Sequence, residues 1–267
     1  MSRATSPRRR SVLLGGAALA GTAVLAGGHD RAEARQPAGG SSSGGPSSSG
    51  PWAIELFTSQ GCSSCPPANA HLGKLARRAD IVALSFHVDY WDYIGWKDLF
   101  ASRATTERQR AYARVLKQRY VYTPEMVVDG IGHEPGVDSG PIKALLATAQ
   151  RRSPRRATPD LARAADGTLA IKLAAFTLDG GPADVTLAVY DRRHATPVRS
   201  GENIGRTLEH FNVVRRLEIV GRWRGSAANW TVPADHFQPG QGMAELVQQA
   251  DHGPMIGCNK LEQTETG

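Results

Sequence analysis

Apolar residues along this chain follow two rhythms, and the change comes near residue 152. Before it, dense apolar runs alternate with helix-spaced segments. Trp52–Thr58 (WAIELFT) is rich in branched and aromatic residues and predicts a buried strand. Ala70, Leu72, Leu75 and Ala76 recur at helical spacing and predict a helix that closes near Ala79–Asp80. Ile81–Trp91 is a near-continuous apolar run, as expected of a central parallel strand covered on both faces. Strand, helix and strand at these lengths make a βαβ unit. Tyr112, Val115 and Leu116 predict a second helix capped by Thr105 or Thr106. Val121–Gly130 reads as a loop with a proline, a short strand and an Asp129–Gly130 turn, and Ser139–Arg152 as a closing helix.

Beyond residue 152 the period shortens to two. Thr168–Phe176 and Asp184–Asp191 alternate around an Asp179–Pro182 turn and predict a hairpin. Phe211–Gly221, Trp230–Ala234, Gly242–Gln249 and Met255–Glu262 continue the strand pattern, with no helix among them. The expected architecture is an α/β domain at 52–152 followed by a β-rich, sandwich-like domain at 160–262. Arg151–Arg156 (RRSPRR) reads as a solvated linker between the two.

The first 51 residues carry a different message. A basic stretch precedes a short Gly/Ala-rich apolar run, and Arg9–Arg10–Ser11–Val12–Leu13 fits a twin-arginine export signal. Val12–Ala26 is shorter than the roughly 20 residues a spanning helix needs. Ala32–Glu33–Ala34 offers a small-x-small cleavage site, so residues 1–34 are expected to be removed, leaving no stable membrane span. The protein would then be periplasmic or extracellular. Residues 35–51, without large apolar side chains until the strand begins, read as a Gly/Ser-rich tether. Removing the signal leaves 27 basic and 23 acidic residues, a formal +4 in place of +7. That balance is too weak for a nucleic-acid surface.

Three cysteines in 267 residues exclude a disulfide scaffold. Cys62 and Cys65 stand between the first strand and helix, and Pro66–Pro67 follow them. A helix N-terminus there favours a thiolate, the attacking species in disulfide exchange, and Cys65 is spaced to resolve a mixed disulfide formed by Cys62. Cys62 is expected to be the more exposed and more acidic of the two. The alternatives are a plain structural disulfide or part of a metal site, although Cys258, alone and far along the chain, cannot complete a four-thiolate set. Buried, Cys258 would be a small hydrophobe; exposed, it would allow an intermolecular disulfide.

The strand, the Cys-x-x-Cys helix, the βα unit and the loop with Thr123–Pro124 resemble the thioredoxin fold. That resemblance implies a cis Pro124 facing the cysteines, with Thr123 contacting substrate backbone. More narrowly, ELFTSQGCSSCPPA, FHVDYWDYIGWKD, RQRAYA, YTPEMVVDG and GENIGRTLEHFNVVR are similar to an exported, thioredoxin-like family, domain of unknown function 1223. The similarity runs from about Trp52 to about Leu261, and the family's name assigns no substrate.

His87, Asp89 and Asp92 fall at the end of the second strand, the edge where parallel sheets place sites. His87 would lower a thiol pKa, shuttle a proton or simply pack, and Asp89 and Asp92 would act as a base or as loop caps. Gly201–Arg206 and Glu209–His210 read as turn and surface residues of the second domain. Two function classes remain. One is a thiol–disulfide oxidoreductase acting on thiols and disulfides of exported proteins, monomeric, with no cofactor beyond its own Cys62–Cys65 disulfide. The other is an exported copper-handling protein that binds Cu(I) through Cys62, Cys65 and His87, a soft ligand set.

Overall fold

The structure, a computed structural model, describes residues 50–261; the expected signal at 1–34 and nearly all of the tether lie outside them. Chain order begins with β1 (Trp52–Thr58), α1 (Pro66–Ala76), β2 (Ile81–His87), α2 (Arg103–Val115), β3 (Glu125–Val128), β4 (Gly132–Glu134) and α3 (Ser139–Arg152). β1 and β2 run parallel with every residue buried, the polar Glu55, Thr58, Ser85 and His87 included. β3 adds antiparallel to the other edge of β1, and β4 to β3. Alternation along β1 separates two cores. Ile54 and Leu56 pack with Leu72 of α1 and Leu146 of α3, while Ala53 and Phe57 pack with Tyr112 of α2. The cap of α2 is Ser102, whose hydroxyl accepts from the Thr105 backbone N–H.

The remaining strands are β5 (Asp160–Arg163), β6 (Leu169–Leu173), β7 (Ala183–Pro197), β8 (Thr207–Trp223), β9 (Ala228–Val232), β10 (Gly242–Gln249) and β11 (Met255–Leu261). The expected division at 52–152 and 160–262 gives way to a shared sheet. Eight strands in the order β11-β10-β7-β8-β2-β1-β3-β4 form one surface, and a three-stranded sheet, β5-β6-β9, packs on its β-rich part. The expected β6–β7 hairpin is also replaced, because β6 pairs with β5 and β9 while β7 pairs with β8 and β10. The seam between the halves is small: Ser85 of β2 pairs with Val213 of β8. Beside it Asn212, at φ +48°, turns its amide to the Ala83 carbonyl at 2.8 Å. A hydrophobic pattern shows that a strand exists but not which edge it joins. Val214, Tyr190 and Leu246 share one core with Phe57 and Phe86, so the halves are also continuous in their packing.

Helix α1 lies against β8 because residue 73 is glycine. A Cβ there would stand 2.6 Å from the Phe211 ring, inside any tolerable contact. Two buried ion pairs fix further elements. Arg108 of α2 grips Glu55 of β1 with Nε at 2.6 Å and Nη2 at 2.9 Å, and Tyr112 donates to the same carboxylate. Arg156 is fully buried, so RRSPRR is not a solvated linker throughout. It holds Asp129 at 2.7 and 2.9 Å and lies 4.1 Å over the Trp52 ring. Cys258 packs beside it, and burial pushes its thiol up to about 12, so the cysteine is inert and no external disulfide is open to it.

Removing one partner of a buried pair strands the other charge, at about 3–5 kcal/mol. R108M should therefore lower the free energy of unfolding by that order in denaturant titration. The double variant E55M/R108M should recover part of the loss, since apolar replacement of a whole pair is often tolerated.

Candidate active site

The site begins where β1 ends. Cys62 and Cys65 form a disulfide with Cα atoms 5.5 Å apart, and the turn between them is closed by Cys65 N–H donating to the Cys62 carbonyl at 3.2 Å. Cys65 caps α1, and Pro66–Pro67 fill the first helical positions. Proline suits those positions but brings no N–H, so two of the donors expected to favour a thiolate are absent. Both cysteines are fully buried, which corrects the expectation of an exposed Cys62; Ser63 and Ser64 between them face solvent.

What covers them comes from the far half of the chain. The connection between β7 and β8 folds back onto the Cys-x-x-Cys turn. Asn203, fully buried, donates from one amide nitrogen to the carbonyls of Gln60 and Cys62, each at 2.9 Å. Glu202 accepts from the Ser63 backbone N–H at 3.1 Å, and hydrogen bonding to the Ser63 side chain first, then to its backbone, holds the carboxylate below the usual range. Arg206 in turn donates to the Asn203 side-chain oxygen at 2.8 Å. Gly201 and Gly205 take positive φ, +75° and +79°, and allow the tight loop. The GENIGR stretch, which its composition predicts as a surface turn, thus reaches the cysteine turn through Glu202 and the buried Asn203.

Beneath the disulfide lies a second layer. Asp98 accepts from the Gln60 backbone N–H at 2.8 Å and from His87 Nδ1 at 2.7 Å. Burial would raise the Asp98 carboxyl, but the His87 interactions and the Gln60 and Phe100 N–H bonds outweigh it and hold the group below its ordinary value. His87 meets His210 edge to face, ring centroids 4.8 Å apart. His87 Nε2 and both nitrogens of His210 are buried without a hydrogen-bond partner among the described residues. Burial first, then the neighbouring His87 and His194, pushes His210 down to about 3, so its imidazole is neutral. His210 is thus a buried residue and not the surface residue its segment predicts. Its strand shows the signal that could have found it: Leu208 and His210 alternate inward between exposed Thr207 and Glu209.

The other expected residues have specific places. Asp89 accepts from the Thr106 hydroxyl at 2.6 Å, and Asp92 accepts from the Asp98 backbone N–H at 3.2 Å. The Thr123–Pro124 peptide is cis. Trp91 links that loop to the cysteine turn: its indole N–H donates to Thr123 Oγ1 at 2.7 Å, and its Cβ lies 3.2 Å from where a Cβ on Gly61 would sit. Among the described residues no group of three or more His, Cys, Asp or Glu side chains is arranged to hold a metal ion. Cys62, Cys65 and His87 are not brought together as ligands, because His87 turns to Asp98 and its ring is packed against Phe100 and His210. No helix among the described residues is long and apolar enough to cross a membrane.

A family model described as "Protein of unknown function (DUF1223)" matches residues 53–248. The crystal structure of a protein from Agrobacterium tumefaciens is similar at 34% identity and a TM-score of 0.72, over 82% of this chain and 97% of that one. An endonuclease/exonuclease/phosphatase structure from Beutenbergia cavernae also matches, at 17% identity over 39% of this chain and 22% of that one. Its TM-score of 0.20 carries no argument. A search of curated proteins finds no match.

Two expectations follow from this geometry. Asn203→Ala should loosen the cover and speed reduction of the disulfide by a small dithiol several-fold, read by stopped-flow thiol release. His210 supplies a pH test. In the unfolded chain it takes up a proton below about 6.5, whereas in the folded protein it resists protonation until about 3. Stability should therefore fall as pH drops through that window, by at most about 1.4 kcal/mol per pH unit from this residue. In H210F that part of the slope should vanish, as measured by denaturant unfolding across the range.

Proposed function

The chain belongs to the DUF1223 family of proteins of unknown function, and we propose that this member is a thiol–disulfide oxidoreductase acting on exported polypeptides. The observation that carries this reading is the Cys62–Cys65 disulfide at the strand–helix junction, held by an asparagine clamp on its own backbone. A disulfide that only cross-linked the chain would add little there, since it closes a three-residue step within one turn. The order β1-α1-β2-α2-β3-β4-α3, with sheet order β2-β1-β3-β4, supports a thioredoxin-like reading of residues 52–152.

The chemistry needs no further cofactor. A client thiolate attacks Cys62 Sγ, the Cys62–Cys65 bond breaks, and Cys65 leaves as a thiolate that takes up a proton. A second client thiolate attacks the client sulfur of the mixed disulfide and displaces Cys62. The client loses two electrons and two protons, and the protein gains them; the reverse steps reduce a client disulfide. Thr123 and Pro124, tied to the cysteine turn through Trp91, are the residues proposed to dock client backbone. His87, on Asp98, is the proposed proton carrier beneath the turn. The twin-arginine pattern at residues 9–13 supports action outside the cytoplasm.

The test is trapping. With Cys65→Ser the resolving sulfur is gone, so mixed disulfides between Cys62 and client proteins should accumulate on non-reducing gels of extracts from the native host. Cys62→Ser should capture few. If neither variant captures partners while the wild-type protein binds one copper ion through both sulfurs, the oxidoreductase reading is wrong and the metal-handling one replaces it.

A further inference from the structure

A cleft of about 350 Å³ runs between α1 and β8, with Pro66, the residue after Cys65, in its lining. Phe211 and the Gly73 backbone line it, and Lys74, Arg77 and Arg206 are its cations. Through Gly73, Arg77 and Phe211 it continues into a second hollow of about 290 Å³, which adds Arg192, Arg193 and Lys260. Lys260 is turned to the last carbonyls of the α1 region, donating to Arg78 O at 2.9 Å. Glu209 is the carboxylate among the lining residues, and Arg193 takes it in an ion pair. The side chains of Lys74, Arg77 and Arg192 form no hydrogen bond or ion pair with any described residue, and all three residues are exposed. A row of unpaired cations over an apolar floor is complementary to an acidic ligand.

We propose that this cleft selects the oxidoreductase's clients: polypeptides carrying acidic residues to one side of the reacting cysteine. The inference rests on the oxidoreductase reading and adds the substrate class to it. A polypeptide is favoured over a nucleic acid or a lipid surface because the lining includes Pro66, next in sequence to Cys65 of the disulfide, and only a thiol-bearing chain can engage both. Spacing along α1 sets the register. At a rise of about 1.5 Å per residue, Lys74 and Arg77 lie about 13 and 18 Å from Cys65 along the helix. An extended client covers those distances in about four and five residues. Asp or Glu at those two positions from the client cysteine would meet Lys74 and Arg77 while the sulfur meets the disulfide.

The experiment measures reduction of the Cys62–Cys65 disulfide in the full chain by three single-cysteine peptides, identical except for Glu, Gln or Lys at those two positions. Two peptide thiols are consumed per disulfide and leave as the peptide dimer. At low salt the Glu peptide should react about tenfold faster than the Lys peptide, and the gap should close at high salt. In K74E/R77E the order should reverse, each rate being referred to that variant's rate with dithiothreitol. Equal rates for the three peptides, with normal reduction by dithiothreitol, would overturn the cleft proposal and leave the oxidoreductase reading standing. Failure to exchange with any thiol overturns both. A thiol-free oligonucleotide or anionic vesicle that binds as tightly as the Glu peptide would make the cleft a general polyanion surface, and the proposal would fall.

Discussion

A buried strand has two edges, and each needs a partner for its backbone groups. That constraint organises this molecule. β2 is buried along its whole length, and β1 satisfies only one of its edges. The other is met by β8, arriving from more than a hundred residues downstream, through the Ser85–Val213 pair and the Asn212 amide on Ala83 O. The loop that connects β8 to β7 lies on the cysteine turn. Asn203, Glu202 and His210 are therefore part of the site because of where a sheet edge had to be closed.

The buried charges follow the same logic. Glu55–Arg108 ties a central strand to α2, and Asp129–Arg156 ties the end of β3 to the segment that leads into the β-rich half. Gln248 of β10 joins the first cluster, accepting from Arg108 and donating to Tyr112. Each pair spans elements that apolar contact alone would let slide, and directional bonds fix their register. In the site, His87 and Asp98 do this for the turn before Cys62, through the Gln60 N–H.

Local elements were largely readable in the sequence. Ser139–Arg152 and Gly242–Gln249 have the bounds their patterns predict, and the CxxC junction announced the candidate chemistry. Pairing was not readable. Period two identifies β6 and β7 as strands without telling that a turn between them separates two sheets. β4 and β5 are too short and polar to carry a period. The site was half legible for the same reason: Cys62, Cys65 and His87 announce themselves by type and position, whereas Asn203 acts by a contact spanning 141 residues. A small polar residue in a glycine-rich loop gives no sign of that reach.

The separation between Cys62 and its clamp also has a meaning in time. Translation delivers the chain in order, at roughly 5–20 residues per second, so the two cysteines emerge on the order of ten seconds before Asn203 can bind the Cys62 carbonyl. During that interval the cover that buries them in the folded protein does not yet exist. Cys258 comes later still, when the cover is already available, and it folds directly into a buried site beside Arg156 that suppresses its thiolate. The linear placement of three cysteines thus reduces the chance that the nascent chain pairs the wrong two.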